Sequence, residues 1–250
     1  MAIDAAAAAA ALLQARHSRN WLEALPEGAR PADMEDVYAI QALVAAELGP
    51  VAGWKVGAAS PTAEPGCAPL HAQNLRFDAA PFHAAAFNIT GIEAEIGYRL
   101  GADLPPRDTA YAREEVIAAI ASMHPTIEIV DTRFVRLGLD PLSHAADQTS
   151  HGALVVGPAL AGWQRIDPPA VPVRLTFNGE VAVEHVGGNS AGEPIRLVQW
   201  LANTGARRYG GLKAGMVITT GSCTGNILVR PGTKVRAEFQ GVGVVETEIQ

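Results

Sequence analysis

The sequence predicts an α+β protein in which a helical N-terminal segment, residues 1–50, precedes a β-rich body, residues 51–250. Apolar residues follow helical spacing before residue 50, whereas long helical patterns are few after it. From Val51 onward, short β-prone runs alternate with turn-forming residues, and the chain has 25 Gly and 17 Pro. No stretch of flexible composition separates the two regions, so we expect one structural unit.

Two helices are predicted before residue 50. Asp4 can cap a helix over Ala5–His17, where alanine supplies helix propensity. The second helix covers Asp33–Leu48, and Gly49-Pro50 ends it.

The body is predicted to hold two further helices and a clear hairpin. One helix covers Arg113–Met123, and another opens at Glu193-Pro194 and runs to Ala202. The hairpin has strands over Val171–Phe177 and Glu180–Val186, because Asn178-Gly179 between them suits a type I′ turn. Two more strands are predicted at the C-terminus, over Lys234–Phe239 and Val242–Ile249.

Composition excludes several classes of protein. The net charge is −7 without a basic stripe, which argues against a nucleic-acid partner. Cys67 and Cys223 are far apart, so neither a disulfide framework nor a zinc site is indicated, and a reduced, cytoplasmic setting is expected. The alanine run Ala5–Ala11 lacks a basic segment before it, and no apolar run reaches the ~18–20 residues of a membrane span. We therefore expect a protein without a membrane partner.

Three glutamates form the candidate metal site. In an extended segment, Glu93 and Glu95 share one face and stand roughly 6.5–7 Å apart at their Cα atoms. Glu128 lies in a second apolar run about thirty residues later. Like charges this close need a proton, a basic partner or a metal, and carboxylates suit Mg²⁺ or Mn²⁺. The alternative is that Glu93 and Glu95 form the wet face of an ordinary half-exposed strand.

Lys55 is the candidate catalytic residue. It is one of three lysines and lies between Trp54 and Val56 in a short strand flanked by glycines. Near carboxylates or a metal, a lysine can serve as an acid/base or as a cationic clamp on an oxyanion. The alternative is a charged residue that protects an edge strand.

Two polar loops add candidates. The run from Asp147 to Gly152 includes Ser150 and His151, and His144 lies just before it; both histidines are acid/base candidates or ordinary loop residues. The loop Gly221–Gly225, which contains Ser222, consists of small residues whose backbone N–H groups could approach an anion.

The order of these motifs resembles the 2-keto-4-pentenoate hydratase and 4-oxalocrotonate decarboxylase group of the fumarylacetoacetate hydrolase superfamily, from about Asp33 to the C-terminus. The segments that carry the resemblance are Gly53–Gly57, Ile92–Glu95, Ile127–Asp131, Asp147–Gly157, Asn178–Glu180 and Trp200–Thr204. His151 departs from the pattern, because a small residue is expected there, and the segment Leu70–Phe77 also differs.

The resemblance implies a mixed β-sandwich or roll body with N-terminal helices packed around it. It implies Mg²⁺ or Mn²⁺ held by Glu93, Glu95 and Glu128, and an active-site lysine at Lys55. It further implies substrate contacts from Asp78 and Ser150, and Ser222 in the Gly221–Gly225 loop is a third candidate. A homo-oligomer is expected, together with an association with a decarboxylase or aldolase partner.

The leading functional prediction is hydration of a 2-hydroxy-2,4-dienoate to a 4-hydroxy-2-oxoalkanoate, in the breakdown of aromatic ring-cleavage products. Lys55, with a pKa lowered by burial and a nearby cation, is expected to move the proton. Three alternatives stay open: decarboxylation of a 4-oxalocrotonate-type 2-oxo acid, C–C hydrolysis of an acylpyruvate, and an inactive metal-binding partner subunit. Hydrolysis would be supported by a His–Glu pair beside the metal.

Overall fold

A computed structural model describes residues 2–77 and 79–250 of the chain. Two helices come first, α1 (Ala5–Ser18) and α2 (Met34–Leu48). Both begin as predicted: the Asp4 side chain accepts from the Ala7 N–H, and Asp33 accepts from the N–H groups of Glu35 and Asp36. No helix among the described residues has both the length and the apolar character needed to cross a bilayer.

Among the described residues after α2, the regular elements are twelve strands and three short α-helices, with several single 3-10 turns between them. The strands are β1 (Val51–Gly57), β2 (Gly66–His71), β3 (Leu75–Arg76), β4 (Gly91–Leu100), β5 (Ile120–Val130), β6 (His151–Val156), β7 (Pro172–Phe177), β8 (Glu180–Val186), β9 (Val217–Ser222), β10 (Ile227–Leu228), β11 (Thr233–Phe239) and β12 (Gly243–Ile249). The helices are α3 (Arg113–Ala119), α4 (Pro141–Ala146) and α5 (Ile195–Trp200), the last extended by a π-helical turn over Leu201–Gly205.

The strands form two sheets. The larger has the order β2-β1-β9-β4-β5-β6-β3, with β10 paired to β4, and it is mixed because β1 pairs with β9, and β3 with β6, in parallel. The smaller has the order β12-β11-β7-β8 and packs on β5 and β6 of the larger. The N-terminal helices pack against each other, and α2 also contacts β2. The α+β prediction of a mixed two-sheet body with N-terminal helices is confirmed.

The predicted hairpin is confirmed. β7 and β8 flank Asn178-Gly179, which have φ values of 52° and 87°, as a type I′ turn requires. The division of the chain into a helical segment over residues 1–50 and a body over residues 51–250 stays a prediction, although the last helical residue before β1 is Leu48.

The predicted helix over Arg113–Met123 is wrong in its second half. The helix ends at Ala119, and Ile120 begins β5. β4 pairs with β5 along its whole length, from Gly91 opposite Val130 to Leu100 opposite Ile120. The spacing of the apolar residues at Ile120–Met123 fits a strand as well as a helix. Pairing with β4 decides between the two, because it adds backbone hydrogen bonds along the full length of β4.

Candidate active site

The register of β4 and β5 places the glutamates. Glu93 is directly opposite Glu128 across the antiparallel pair, and Glu95 follows two residues along β4 on the same face. One carboxylate oxygen from each residue lies within 4.8 Å of the other two. The structure therefore brings together the three acidic residues that the sequence singled out, and they could hold a divalent metal ion.

The surroundings of these carboxyl groups oppose full ionisation. Burial, with the neighbouring Glu128 carboxylate, raises the pKa of Glu93 to about 7 and that of Glu95 to about 8. Burial also acts to raise the pKa of Glu128, but the Lys55 ammonium and His151 outweigh it, so the pKa of Glu128 is lowered. One ammonium group faces three carboxyl groups, which leaves the cluster short of positive charge.

The hydrogen bonds of the cluster leave oxygens for a cation. Glu95 Oε2 accepts from the Thr219 hydroxyl and from the Gly221 N–H at 2.9 Å. Glu128 Oε1 accepts from Lys55 Nζ at 2.6 Å and lies 2.9 Å from His151 Nδ1, whereas its buried Oε2 has no hydrogen-bond partner among the described residues. An unpartnered carboxylate oxygen beside two further carboxylates is a donor set that fits a hard divalent cation.

Lys55 is positioned by the parallel pairing of β1 with β9, in which it lies opposite Thr219. Gly53, two residues earlier, permits this pairing because a Cβ there would collide with the carbonyl oxygen of Val217. The side chain of Lys55 is 14% exposed. Burial acts to lower the pKa of its ammonium, but the carboxylates of Glu128, Glu93 and Glu95 outweigh burial and raise it. The predicted lowering presupposes a bound cation beside Lys55, so it stays a prediction.

A left-handed turn supplies the second acceptor of Lys55. Gln148, Thr149 and Ser150 have φ values of 49°, 52° and 56°, a conformation that is costly for residues other than glycine. The turn presents the Thr149 carbonyl oxygen to Lys55 Nζ at 3.0 Å. The sequence carried no signal for this contact, because a backbone acceptor does not depend on residue type.

A buried ion pair braces this turn. Arg133 Nε lies 2.5 Å from Asp147 Oδ1, and both side chains are 2% exposed. The same guanidinium donates to the carbonyl oxygens of His151 and Asp147, both at 3.0 Å. Arg133 therefore ties together the two ends of the segment that carries Thr149.

A cavity of about 580 Å³ opens over the cluster. Lys55, Glu93, Glu95 and Ser222 line it, whereas Glu128 lies beneath them with no exposed surface. The remaining described lining residues are Met34, Val56, Gly57, Ala58, Ala59, Glu64, Gly66, Cys67, Ala145, Thr149, Gly188, Ser190, Gly221 and Gly225.

Of the predicted substrate contacts, Ser222 lines this cavity and Ser150 does not. Ser150 Oγ lies 3.1 Å from His144 Nδ1 and does not line the cavity. Asp78 lies outside the described residues. The substrate contacts of Ser150, Asp78 and Ser222 stay predictions.

The two histidines and the two cysteines have distinct surroundings. His151 is completely buried, and burial lowers the pKa of its imidazole. Its Nδ1 meets Glu128, so the structure contains a His–Glu pair at the cluster. His144 contacts Ser150 and Thr132 and is absent from the cavity lining. Cys67 and Cys223 are both free and buried.

Comparisons with known proteins identify relatives along the whole chain. Residues 71–250 match the family model described as fumarylacetoacetate hydrolase, C-terminal. The chain is 30% identical over 254 residues to a 2-keto-4-pentenoate hydratase of Paraburkholderia xenovorans, a match that covers 97% of this chain and 94% of that protein. It is 34% identical over 131 residues to a 4-oxalocrotonate decarboxylase of Pseudomonas putida, covering 52% of this chain and 50% of that protein.

Solved structures with a similar fold include proteins of the same names. The 4-oxalocrotonate decarboxylase from Pseudomonas putida G7, complexed with magnesium and adipate, matches with a TM-score of 0.86 at 26% identity, covering 98% of this chain and 97% of that chain. A fumarylacetoacetate hydrolase from Exiguobacterium antarcticum matches with a TM-score of 0.62 at 16% identity, covering 81% of this chain and 76% of that chain, which shows the fold alone.

Proposed function

The chain belongs to the fumarylacetoacetate hydrolase family, and on that basis we propose that it is a divalent-metal-dependent hydratase, a hydro-lyase that adds water to a 2-hydroxy-2,4-dienoate to give a 4-hydroxy-2-oxoalkanoate. The observation that carries the proposal is the cluster of Glu93, Glu95 and Glu128, which has Lys55 against it under an open cavity. Sequence similarity to hydratases extends over nearly the whole chain, whereas the match to the P. putida decarboxylase covers 52% of it. Related hydratases point to the breakdown of aromatic ring-cleavage products as the setting.

Glu93, Glu95 and Glu128 would hold the metal, Mg²⁺ or Mn²⁺. Support comes from the decarboxylase structures complexed with magnesium and with calcium, and from the unpartnered Glu128 oxygen. When bound, a divalent cation supplies a Lewis acid that stabilises negative charge developing on the C2 oxygen of the substrate.

Lys55 would carry the proton. Its ammonium donates to Glu128 Oε1 and to the Thr149 carbonyl oxygen, and since an ammonium has three N–H donors, one remains for a ligand in the cavity. In ketonisation the C2 hydroxyl loses a proton and C5 gains one, which leaves a conjugated 2-oxo-3-enoate; water then adds its oxygen to C4 and a proton to C3. Lys55 is assigned this proton transfer because its ammonium lies against Glu128 and lines the cavity.

Substrate contacts are assigned to Ser222, which lines the cavity, and to Asp78 and Ser150. Ser222 supports this role best, because its hydroxyl accepts from the Thr224 N–H at 3.3 Å, has no other hydrogen bond among the described residues, and can turn toward a ligand. The ligand is a small 2-oxo or 2-hydroxydienoic acid.

Decarboxylation of a 4-oxalocrotonate-type acid is the second candidate, favoured by the whole-length structural match. The third candidate, hydrolysis of an acylpyruvate, is supported by the His151–Glu128 pair at the cluster. That pair has both side chains fully buried and outside the cavity lining, so neither can act on a water molecule in the cavity without rearrangement.

We further propose that the chain forms a homo-oligomer. We also propose that this homo-oligomer associates with a decarboxylase or aldolase partner. Support comes from β8, an edge strand of the smaller sheet on which Val181 and Val186 are 45% and 62% exposed. Size-exclusion chromatography with light scattering measures the assembly directly.

The proposed activity is tested with a panel of 2-hydroxydienoates and 2-oxo-dienedioates in the presence of Mg²⁺, with hydrated product and CO₂ both measured. Hydrated product without CO₂ is the expected result. CO₂ release from 4-oxalocrotonate without hydration would establish the second candidate instead. Full metal loading without turnover of any acid in the panel would indicate an inactive partner subunit.

A further inference from the structure

The charged side chains of the cavity lie at two separated places. Lys55, Glu93 and Glu95 lie at the floor, and Glu64 is the other charged residue among the described lining residues. Lys55 pairs with Ala68 across β1 and β2, and the strands continue two residues further to the Gly57–Gly66 pair, roughly 7 Å along the sheet. Glu64 lies beyond that pair in the connecting loop, and it is exposed, from which we infer that its carboxylate lies toward the mouth, or outer end, of the cavity.

Two residues of α5 fix Glu64 and its loop. Trp200 Nε1 donates to Glu64 Oε1 at 2.5 Å. Arg196 donates to the carbonyl oxygens of Ser60 and Ala63, at 2.8 and 3.2 Å. The carboxylate of Glu64 is therefore held at the cavity by specific contacts.

Among the described residues that line the cavity, none at its outer end has a cationic side chain. Among the described lining residues, Lys55 alone has a cationic side chain, and it is bound to Glu128 at the floor. The Arg196 guanidinium is occupied by backbone carbonyl oxygens and does not line the cavity. Most of the other described lining residues are small or apolar, among them Met34, Ala58, Ala59, Cys67 and Ala145.

We propose that Glu64 is a specificity-determining residue that restricts the cavity to monocarboxylic 2-oxo and 2-hydroxydienoic acids with a short uncharged tail. The inference rests on the proposed function, since it assumes that the C1 carboxylate and C2 oxygen of the ligand lie at the floor. The far end of such an acid then extends toward Glu64. A second carboxylate there meets a like charge and no cationic partner, whereas an alkyl tail meets apolar side chains. The similar decarboxylase structure holds adipate, a dicarboxylate, so this cavity is expected to differ from it in ligand class.

Calorimetry with Mg²⁺ and two unreactive ligands tests this assignment. 2-Oxohexanoate and 2-oxohexanedioate have the same chain length and differ in the charge at C6. The wild-type protein is expected to bind the monoacid more tightly. Glu64→Gln keeps an acceptor for Trp200 and removes the charge, and should reduce the preference about 5-fold, as expected for one unit charge a few ångströms away in solvated surroundings. Glu64→Lys should reduce it further, and Glu184→Gln, on exposed β8, should leave it unchanged.

The outcomes separate the two proposals. Equal affinity of the wild-type protein for both acids, or a preference that Glu64→Gln does not alter, overturns the role of Glu64 even if the protein hydrates a dienoate. A monoacid preference that falls in Glu64→Gln supports the role even if no dienoate is hydrated, in which case the hydratase proposal alone fails. Binding of neither acid overturns the role, because the cavity would then not take 2-oxo acids.

Discussion

Glu93 and Glu128 are directly opposite each other on β4 and β5, thirty-five positions apart in the sequence. Two carboxylates in that relationship repel each other unless charge is supplied from outside the pair. Lys55 supplies one positive charge, bound to Glu128 at 2.6 Å, and Glu95 adds a third carboxyl group. The cluster is therefore short of positive charge, which a bound cation would supply, and each element of that arrangement can be tested by substitution.

Glu128→Gln is expected to weaken Mg²⁺ binding by about 100-fold or more. Mutation of a residue that only contacts a metal ligand typically lowers metal affinity by about 10–100-fold, and loss of a ligand itself should lower it further. Calorimetric titration with Mg²⁺ measures the affinity. Glu246→Gln, an exposed change on β12, is the matched control and should bind as the wild-type protein does. Unaltered affinity in Glu128→Gln would remove Glu128 from the metal site.

Lys55→Ala is expected to lower kcat by about 10²–10⁴-fold, the range associated with a lost general acid or base. Mg²⁺ affinity should not fall, because the substitution removes a positive charge that competes for Glu128. Steady-state kinetics and Mg²⁺ titration of the same preparation separate the two effects. Lys234→Ala, on β11, serves as the control, and unchanged kcat in Lys55→Ala would show that the lysine is not the proton carrier.

Asp147→Asn should lower both stability and kcat. It removes the closer of two carboxylates that pair with the buried Arg133 guanidinium and leaves Asp131 at 3.5 Å. The expected cost is up to about 3–5 kcal/mol in the free energy of unfolding, and the change loosens the turn that positions the Thr149 carbonyl oxygen. Urea unfolding and kinetics below the transition measure the two quantities. Asp140→Asn is the control, because asparagine also caps a helix such as α4. A fully folded Asp147→Asn protein with normal kcat would show that the brace does not act on Lys55.

The metal-free protein should lose stability as the pH rises from about 5 to about 8. The pKa values of Glu93 and Glu95 are raised to about 7 and about 8, so the folded state binds protons that the unfolded state releases near its ordinary carboxyl pKa of 4.5. The free energy of unfolding therefore falls as these groups ionise, by roughly a few kcal/mol. Thermal unfolding at several pH values measures the trend, and saturating Mg²⁺ should flatten it by balancing the carboxylates. A metal-free protein that becomes more stable over this range would contradict the raised pKa values.

Local signals in the chain were sufficient for much of the fold. Asp4 caps α1 as predicted, and Asn178-Gly179 forms the hairpin turn, because caps and tight turns depend on residues next to one another. Local signals failed at Ile120–Met123, where the apolar spacing fits a helix but the chain continues β5. The deciding factor there is β4, a distant partner.

Some features of the candidate site also follow from the sequence, whereas others depend on the tertiary structure. By itself, the sequence determined that Glu93 and Glu95 share a face, because side chains alternate along any strand, and that an ammonium group was available at Lys55. Only the tertiary structure decided that Glu128 is opposite Glu93, that Thr149 presents its carbonyl oxygen to Lys55, and that Trp200 holds Glu64 at the far end of the cavity. These relationships depend on strand register and loop packing between distant segments, and those are fixed by the hydrogen bonding and burial of the whole fold.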